Sequence, residues 1–452
     1  MRCRRAATAA TAILLASTVA FGNGRPPLTN GIHFRPGDQH SLYVATTFGL
    51  LISHDDGCTF DWLCENNVGY GGMFDPIYAV ATDGTIFATT YTGLRVSRDG
   101  GCTFQTATDD LPPGDPGRLD VWVNALAIGP TGEVWIGTAD ATKPTDLYRS
   151  IDNGATFTAL GMQAPTILWN GIQVAPSDAM RIYATGNEVG SSGGDAGQVP
   201  GVAHFFVSAN DGAAWTPLPL TGVKYGGMPS VRVVAVDPAN PDIVYLASEL
   251  GASPPNGDLL YRSADGGMTL AQVLATSDPI HDVAIDGQRI FVTTSIDGGM
   301  QTGPSYESTD GGMTFGPTAG TPVLGCIGRR EDGVLVGCGA NWDPDFMAVA
   351  KSPDDGSTWQ KVWRFAQLDG PLKCPAGTVQ HDTCDVMRWP TLQQQFGATG
   401  PVCGDHQWPG DPAPPSHSGG GCCDAGGGGP ASLLSAFGVA LWLGRRRRRD
   451  VV

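Results

Sequence analysis

Five acidic residues share one local setting, each following a short apolar run by a residue or two. They are Asp140 in Gly-Thr-Ala-Asp, Glu188 in Thr-Gly-Asn-Glu, Glu249 in Ala-Ser-Glu, Asp297 in Thr-Ser-Ile-Asp and Asp343 in Ala-Asn-Trp-Asp. Two carboxylates about 5–10 Å apart can flank a glycosidic bond as acid and base or nucleophile. The same groups can bind a cation or polarise sugar hydroxyls, and the plain alternative is solvated loop carboxylates in an acidic protein. Aromatic residues gather in the same stretches: Tyr70, Trp122, Trp169, Tyr225 and Trp342. Flat rings offer stacking faces to sugars, so Trp122, Trp169, Tyr225 and Trp342 are the candidate ligand contacts, with packing beneath loops as the alternative. His204 and His281 stand alone and read as ordinary strand or loop histidines. There is no nucleophile elbow, phosphate-binding glycine loop, metal-spaced His pair or Cys-x-x-Cys, so no metal and no cofactor are expected.

Placing five acids on one rim needs a repeated scaffold, and the chain supplies one. Ser-x-Asp-x-Gly-x-Thr-aromatic begins at Ser53, Ser97, Ser150, Ser208, Ser263, Ser308 and Ser352, at intervals of 44, 53, 58, 55, 45 and 44 residues. Its acidic position holds Asp55, Asp99, Asp152, Asn210, Asp265, Asp310 and Asp354, one Asn among six Asp. A repeat of ~40–50 residues is the size of a four-stranded propeller blade. The remainder of each unit agrees. Val231–Val236, an Asp237-Pro238 turn and Ile243–Ala247 read as two strands joined tightly, as do His281–Ile285, Asp286-Gly287 and Arg289–Thr293. In the box itself an Asp can accept N–H groups across a hairpin turn, and a Gly two residues on permits positive φ. The expected fold is all-β, a seven-bladed propeller of four-stranded antiparallel blades.

These boxes resemble the Asp-box (BNR) repeats of sialidases, sortilin-type receptors, xyloglucan-hydrolysing glycosidases and a photosystem assembly factor. The resemblance covers roughly residues 28–366. It implies that the seven box residues are scaffold at the outer, lower edge of each blade, while ligands meet the opposite, loop-lined face. Sialoside-cleaving members hold their substrate with three arginines, since a planar carboxylate is best gripped by forked donors. Phe34-Arg35-Pro36 resembles their Phe-Arg-Ile-Pro motif, but no second or third arginine follows in a matching loop. Arg35 therefore reads as a turn residue, and sialidase activity is disfavoured.

The ends read as addresses. Residues 1–22 combine a basic start with an apolar, small-residue run ending near Ala20 or Gly22, as in a secretory signal peptide. Residues 23–366 are the propeller, 367–408 a small Cys-containing appendage and 409–421 a Pro/Gly-rich stalk. Residues 422–452 hold Cys422-Cys423, a Gly run, a short apolar stretch and five arginines. That order resembles the MYXO-CTERM class of bacterial sorting tails, which implies processing at Cys422 or Cys423 and display at the outer surface. Sorting machinery and, through the tail or a lipid on the processed Cys, a membrane are the implied partners. Setting aside Cys3, Cys422 and Cys423, eight cysteines remain, an even number that suits disulfides in an exported body. Local sequence favours Cys374 with Cys384 and Cys326 with Cys338.

Composition narrows the rest. Acids outnumber bases 44 to 27 for a net charge of −17, which repels a phosphate backbone and disfavours nucleic acid as a partner. With 64 Gly and 34 Pro, long helices would be broken repeatedly. The expected function is non-catalytic binding of a glycan or surface protein at the loop face. The alternative is a glycoside hydrolase using two rim carboxylates.

Overall fold

The computed structural model describes residues 27–404, except 73, 109–118, 141, 163–166, 189, 194–196, 200, 227–229, 251–256, 295–302, 319 and 343–344. Seven four-stranded antiparallel blades follow one another, each built from strands in sequence order, so the expected propeller is the observed fold. The innermost strands are Thr29–Phe34, Tyr78–Val80, Val123–Ile128, Ile167–Ala175, Val231–Val236, Ile280–Asp286 and Cys326–Arg329. The second strands Leu42–Thr46, Ile86–Thr90 and Val134–Thr138 are buried at every residue. Their near-continuous apolar runs fit a strand whose two faces are both covered by neighbouring blades. The connections into each blade, and those between second and third strands, share one face of the ring. The Ser-x-Asp turns share the other.

Each such turn closes on its own side chains. In the first blade Asp55 Oδ1 accepts the Thr59 N–H at 2.9 Å, and Thr59 Oγ1 donates to Asp55 Oδ2 at 2.7 Å. Ser53 Oγ donates to the same carboxylate and accepts the Gly57 N–H, both at 2.9 Å. The same bonds recur at Asp99, Asp152, Asp265, Asp310 and Asp354. In the fourth blade Asn210 accepts the Ala214 N–H, but Ala214 has no hydroxyl to give. The turn glycine explains how blades dock. Gly154 has φ +72°, and a Cβ there would lie 2.3 Å from Phe87 Cε1 of the preceding blade. Gly356 makes the same approach to Phe291. Each of these rings, on a second strand, is seated against the turn of the next blade.

The ring closes between the seventh and first blades without a shared strand among the described residues. Leu42, Val44, Phe60 and Trp62 pack there with Val336, Val349, Trp363 and Phe365 in one buried cluster, with Phe60 and Trp363 ring centroids 4.6 Å apart. The chain after the seventh blade then returns to the first. Gly370–Pro371 adds a parallel strand beside Asp61–Cys64. Fully buried Gln380 donates to the Trp62 carbonyl at 2.8 Å and accepts the Cys64 N–H at 3.3 Å. A π-helical segment, Gln380–Arg388, runs into the helix Trp389–Phe396.

Disulfides complete the closure. Cys326 pairs with Cys338 across a hairpin, as local sequence indicates. The pairing of Cys374 with Cys384 is corrected: Cys374 bonds Cys102 and Cys384 bonds Cys64, while Cys58 bonds Cys403. Cys58 and Cys102 occupy the position after the turn glycine in the first two blades, so the appendage is stapled to two Ser-x-Asp turns. Four disulfides belong to an oxidising compartment and indicate export. Among the described residues no helix is long and apolar enough to cross a membrane. The expected signal peptide, the expected stalk and Cys422 and Cys423 lie outside the described residues.

Candidate functional site

The rim acids do not behave as a set. Asp140 caps its own turn, accepting the Thr142 hydroxyl at 2.7 Å and its N–H at 2.8 Å, and these bonds hold its pKa below the usual range. Glu188 lies 3.4 Å from His204 Nε2 on the neighbouring strand of its blade. Glu249 is exposed at the end of a strand, directly opposite Asp258. Asp297 and Asp343 lie outside the described residues. Two acids with a different character had no signal in the rim pattern. Asp146 and Asp258 are both 2% exposed, and burial pushes each up to about 6. Both tie loops: Asp146 accepts the Leu147 and Met162 N–H groups, and Asp258 the Ile280 N–H at 2.8 Å.

The aromatic candidates divide as well. Trp169 is corrected: its ring is fully buried, packed on Phe206 within a strand, and it cannot meet a ligand. Tyr225 and Trp342 are exposed, Trp342 standing edge-on to Phe365. Trp122 is half-buried and belongs to a larger feature. Tyr91, 56% exposed on the loop between the second and third strands of its blade, lies between Phe74 at 4.4 Å and Trp122 at 5.3 Å. Tyr70 extends the row, 6.4 Å from Phe74. Phe74 and Trp122 sit on successive connections into blades, so the three rings form a ledge on the loop face.

Beside that ledge opens the central channel. Asp75, Pro76 and Ile77, the residues after Phe74, line a cavity of about 400 Å³ to which the innermost strands of all seven blades contribute. Its polar lining arises from β-bulges, where one extra residue is re-aimed out of the ladder. Asn30 and Asn170, which line it, are each skipped by the pairing of their strands, as is Asn124, whose Nδ2 instead donates to the Trp169 carbonyl at 3.5 Å. His281 and Asp282 fall in a further irregularity between Ile280 and Val283. Asp282 sits 3.4 Å from His281 Nδ1 and accepts the Ile327 N–H at 3.3 Å. Burial works to raise its pKa, but His281, that N–H and His33 outweigh it and hold the carboxyl below the ordinary range. Burial pushes His33 down to about 4 against the pull of Asp282, so at neutral pH it is an uncharged donor and acceptor. Arg232 donates to the Ile280 carbonyl at 2.9 Å.

Arg35 lies elsewhere, donating to the Thr82 carbonyl at 2.9 Å from a turn at the other end of its strand. Between the second and third strands of the fourth blade, Ser191–Gly193 and Gly197–Val199 form a small hairpin. Among the described residues no cluster of three His, Cys, Asp or Glu could hold a metal ion.

No family model and no curated protein matches this chain. Solved structures do resemble it. A GH74 enzyme from Niastella koreensis is 16% identical over 74% of this chain and 65% of its own, with a TM-score of 0.41. YCF48 from Cyanidioschyzon merolae is 15% identical over 72% of this chain and 94% of its own, with a TM-score of 0.44. A gluconolactonase from Xanthomonas campestris is 18% identical over 60% and 84%, with a TM-score of 0.38. The chain thus spans about two thirds of the GH74 enzyme's length. Likeness at this level concerns the fold and carries nothing about the site.

Proposed function

We propose that this protein is an exported Asp-box propeller, displayed at the cell surface through its processed C-terminal tail, that binds glycan on its loop face without cleaving it. The observation that carries the reading is Tyr91, more than half exposed between Phe74 and Trp122, beside a channel mouth lined with amide and imidazole groups. Apolar faces next to neutral hydrogen-bonding groups complement a sugar, which has a C–H face and a hydroxyl edge. The test is retention on immobilised neutral polysaccharides, scored separately from released sugar. Retention without release, weakened about tenfold by Tyr91→Ala, is the expected result. Released sugar overturns it.

One observation favours the hydrolase reading. Asp258, its pKa raised by burial, faces Glu249 across paired strands, and two neighbouring carboxyls are what an acid/base pair requires. Against it, the Asp258 side chain is buried and already engaged with the Ile280 N–H.

A further inference from the structure

The three rings of the ledge do not offer three faces. Phe74 is 7% exposed and the Trp122 indole N–H is buried, while Tyr91 is 56% exposed. The Phe74 and Tyr91 centroids stand 4.4 Å apart with their planes inclined at 48°, and those of Tyr91 and Trp122 stand 5.3 Å apart at 56°. Rings at these separations and tilts are packed on one another, so no sugar fits between them. Phe74 and Trp122 therefore act as positioning residues. They fix Tyr91 before a ligand arrives, which lowers the ordering cost of binding, and leave its outer face as the platform of the ledge.

Tilt decides what kind of glycan can lie there. A crystalline polysaccharide presents a plane of sugar rings, and an aromatic array grips it only if its own rings share a plane. Planes inclined at 48° and 56° cannot do so: with Tyr91 flat on a crystal, its neighbours' faces would be turned away from it. A solvated chain can present one sugar ring to Tyr91 and turn the next aside. Charge narrows the choice further. Asp75 follows Phe74 and Asp120 lies two residues before Trp122, while Lys143, 3.7 Å from the Asp120 carboxylate, offsets only one of them. A uronate would meet net negative charge there, so a neutral chain is favoured.

We infer that Tyr91 stacks on one residue of a single, solvated, neutral glycan chain, and that the ledge rejects crystalline polysaccharide faces and acidic glycans. The inference names the ligand class for the glycan reading and rests on it.

The experiment measures retention of the full chain on pairs of polysaccharide matched for accessible surface: acid-swollen against microcrystalline cellulose, amorphous against crystalline chitin, and methyl-esterified against free polygalacturonate. Cello- and chito-oligosaccharides, as disaccharides and hexasaccharides, are titrated calorimetrically alongside. The expected result is retention on the amorphous or esterified member of a pair, about tenfold above its counterpart. Tyr91→Ala should weaken that retention about tenfold. Tyr91→Phe, which keeps the ring and its packing, should recover most of the loss, which separates a missing platform from a misfolded protein. Affinity should rise only with the number of residues offered, about threefold from disaccharide to hexasaccharide. Crystalline forms retained as strongly as amorphous ones, and released by Tyr91→Ala, overturn the inference and leave the glycan reading standing. So does a gain of about tenfold or more from disaccharide to hexasaccharide, or tighter binding of free than of esterified polygalacturonate. Retention that Tyr91→Ala leaves unchanged places the site elsewhere and overturns the inference. If no saccharide is bound, the glycan reading falls and takes this inference with it.

Discussion

Arg330 of the seventh blade places its guanidinium 2.7 Å from the carboxylate of Asp56 in the turn of the first, across the seam where the ring closes. A second fork, to Asp332, holds the same guanidinium at 2.8–2.9 Å, and Lys351 joins Asp56 from the next strand but one. Arg330 is 6% exposed while Asp56 is nearly half exposed, so solvent screens one side of the pair. Removing Arg330 leaves two carboxylates and one lysine, and Arg330→Ala should cost about 2 kcal/mol. Arg330→Lys should recover little, because an ammonium cannot serve both forks. Denaturant melts of the two variants check this.

The three long disulfides should matter together rather than singly. Cys64–Cys384 spans 320 residues and Cys326–Cys338 only 12. While Cys58–Cys403 stays closed, however, Cys64–Cys384 closes a loop of only a few tens of residues, so on chain entropy its loss alone should cost about 3 kcal/mol, close to the loss of Cys326–Cys338. Removing all three long bridges frees the full span and should cost at least about twice as much. Paired Cys→Ser variants at each bridge and a variant lacking all three long bridges, melted under oxidising conditions, test this. A triple loss no larger than a single one would show that loop closure is not what these bonds contribute.

Stability should rise and then fall as pH drops. The folded pKa values of Asp146 and Asp258 are raised to about 6, so their contribution is full below about 3.9 and is lost as pH climbs through 6. The turn carboxylates behave oppositely. Hydrogen bonds from Thr and Ser hold Asp152 and Asp310 down at about 2, so what they contribute is present above about 3.9 and lost as pH falls through 2. The melting temperature should therefore peak between roughly pH 4 and 5. Asp146→Asn, which keeps the acceptor and discards the charge, should raise stability at pH 7.5 by up to about 3 kcal/mol and flatten the limb between pH 5 and 7.

The imperfect turn of the fourth blade can be repaired. Asn210→Asp with Ala214→Thr installs the hydroxyl-to-carboxylate bond that six other blades possess, and should add about 1 kcal/mol. In the opposite sense Gly356→Ala, at φ +79° and 2.4 Å from Phe291 Cζ, should destabilise. Thermal melts read both.

Two tryptophans that look alike in sequence should fail differently. Trp169→Ala empties a fully buried site and should cost about 3–5 kcal/mol of folding stability. Trp122→Ala removes one wall of the ledge and should weaken glycan retention with a smaller loss of stability. Melting curves and retention measured on the same preparations separate them.

Part of the candidate site is legible in the sequence, and part is legible only when the repeats are set against one another. Trp122 belongs to the ledge, but its partners Phe74 and Tyr91 come from other connections and reach it only when two blades stand side by side. Asn30-Gly-Ile, Asn124-Ala-Leu and Asn170-Gly-Ile form a recurring Asn–small–aliphatic pattern. It marks three bulges, and at two of them, Asn30 and Asn170, the bulged residue lines the channel. Trp169 lies inside a strand rather than a loop: that strand begins two residues earlier, and the bulge at Asn170 changes which side chains face the channel.

What the sequence determined alone is the chemistry that closes within one turn. Ser53, Asp55, Gly57 and Thr59 bond among themselves, so seven such strings announce seven hairpins and, by their spacing, seven blades. What only the tertiary structure decided depends on residues hundreds of positions apart. Cys58 meets Cys403 across 345 residues, and the channel needs an Asn from the first blade, another from the fourth and an Asp from the sixth. Local hydrogen bonds are written in consecutive letters. A ring's centre and its seam exist only after the last blade has packed against the first.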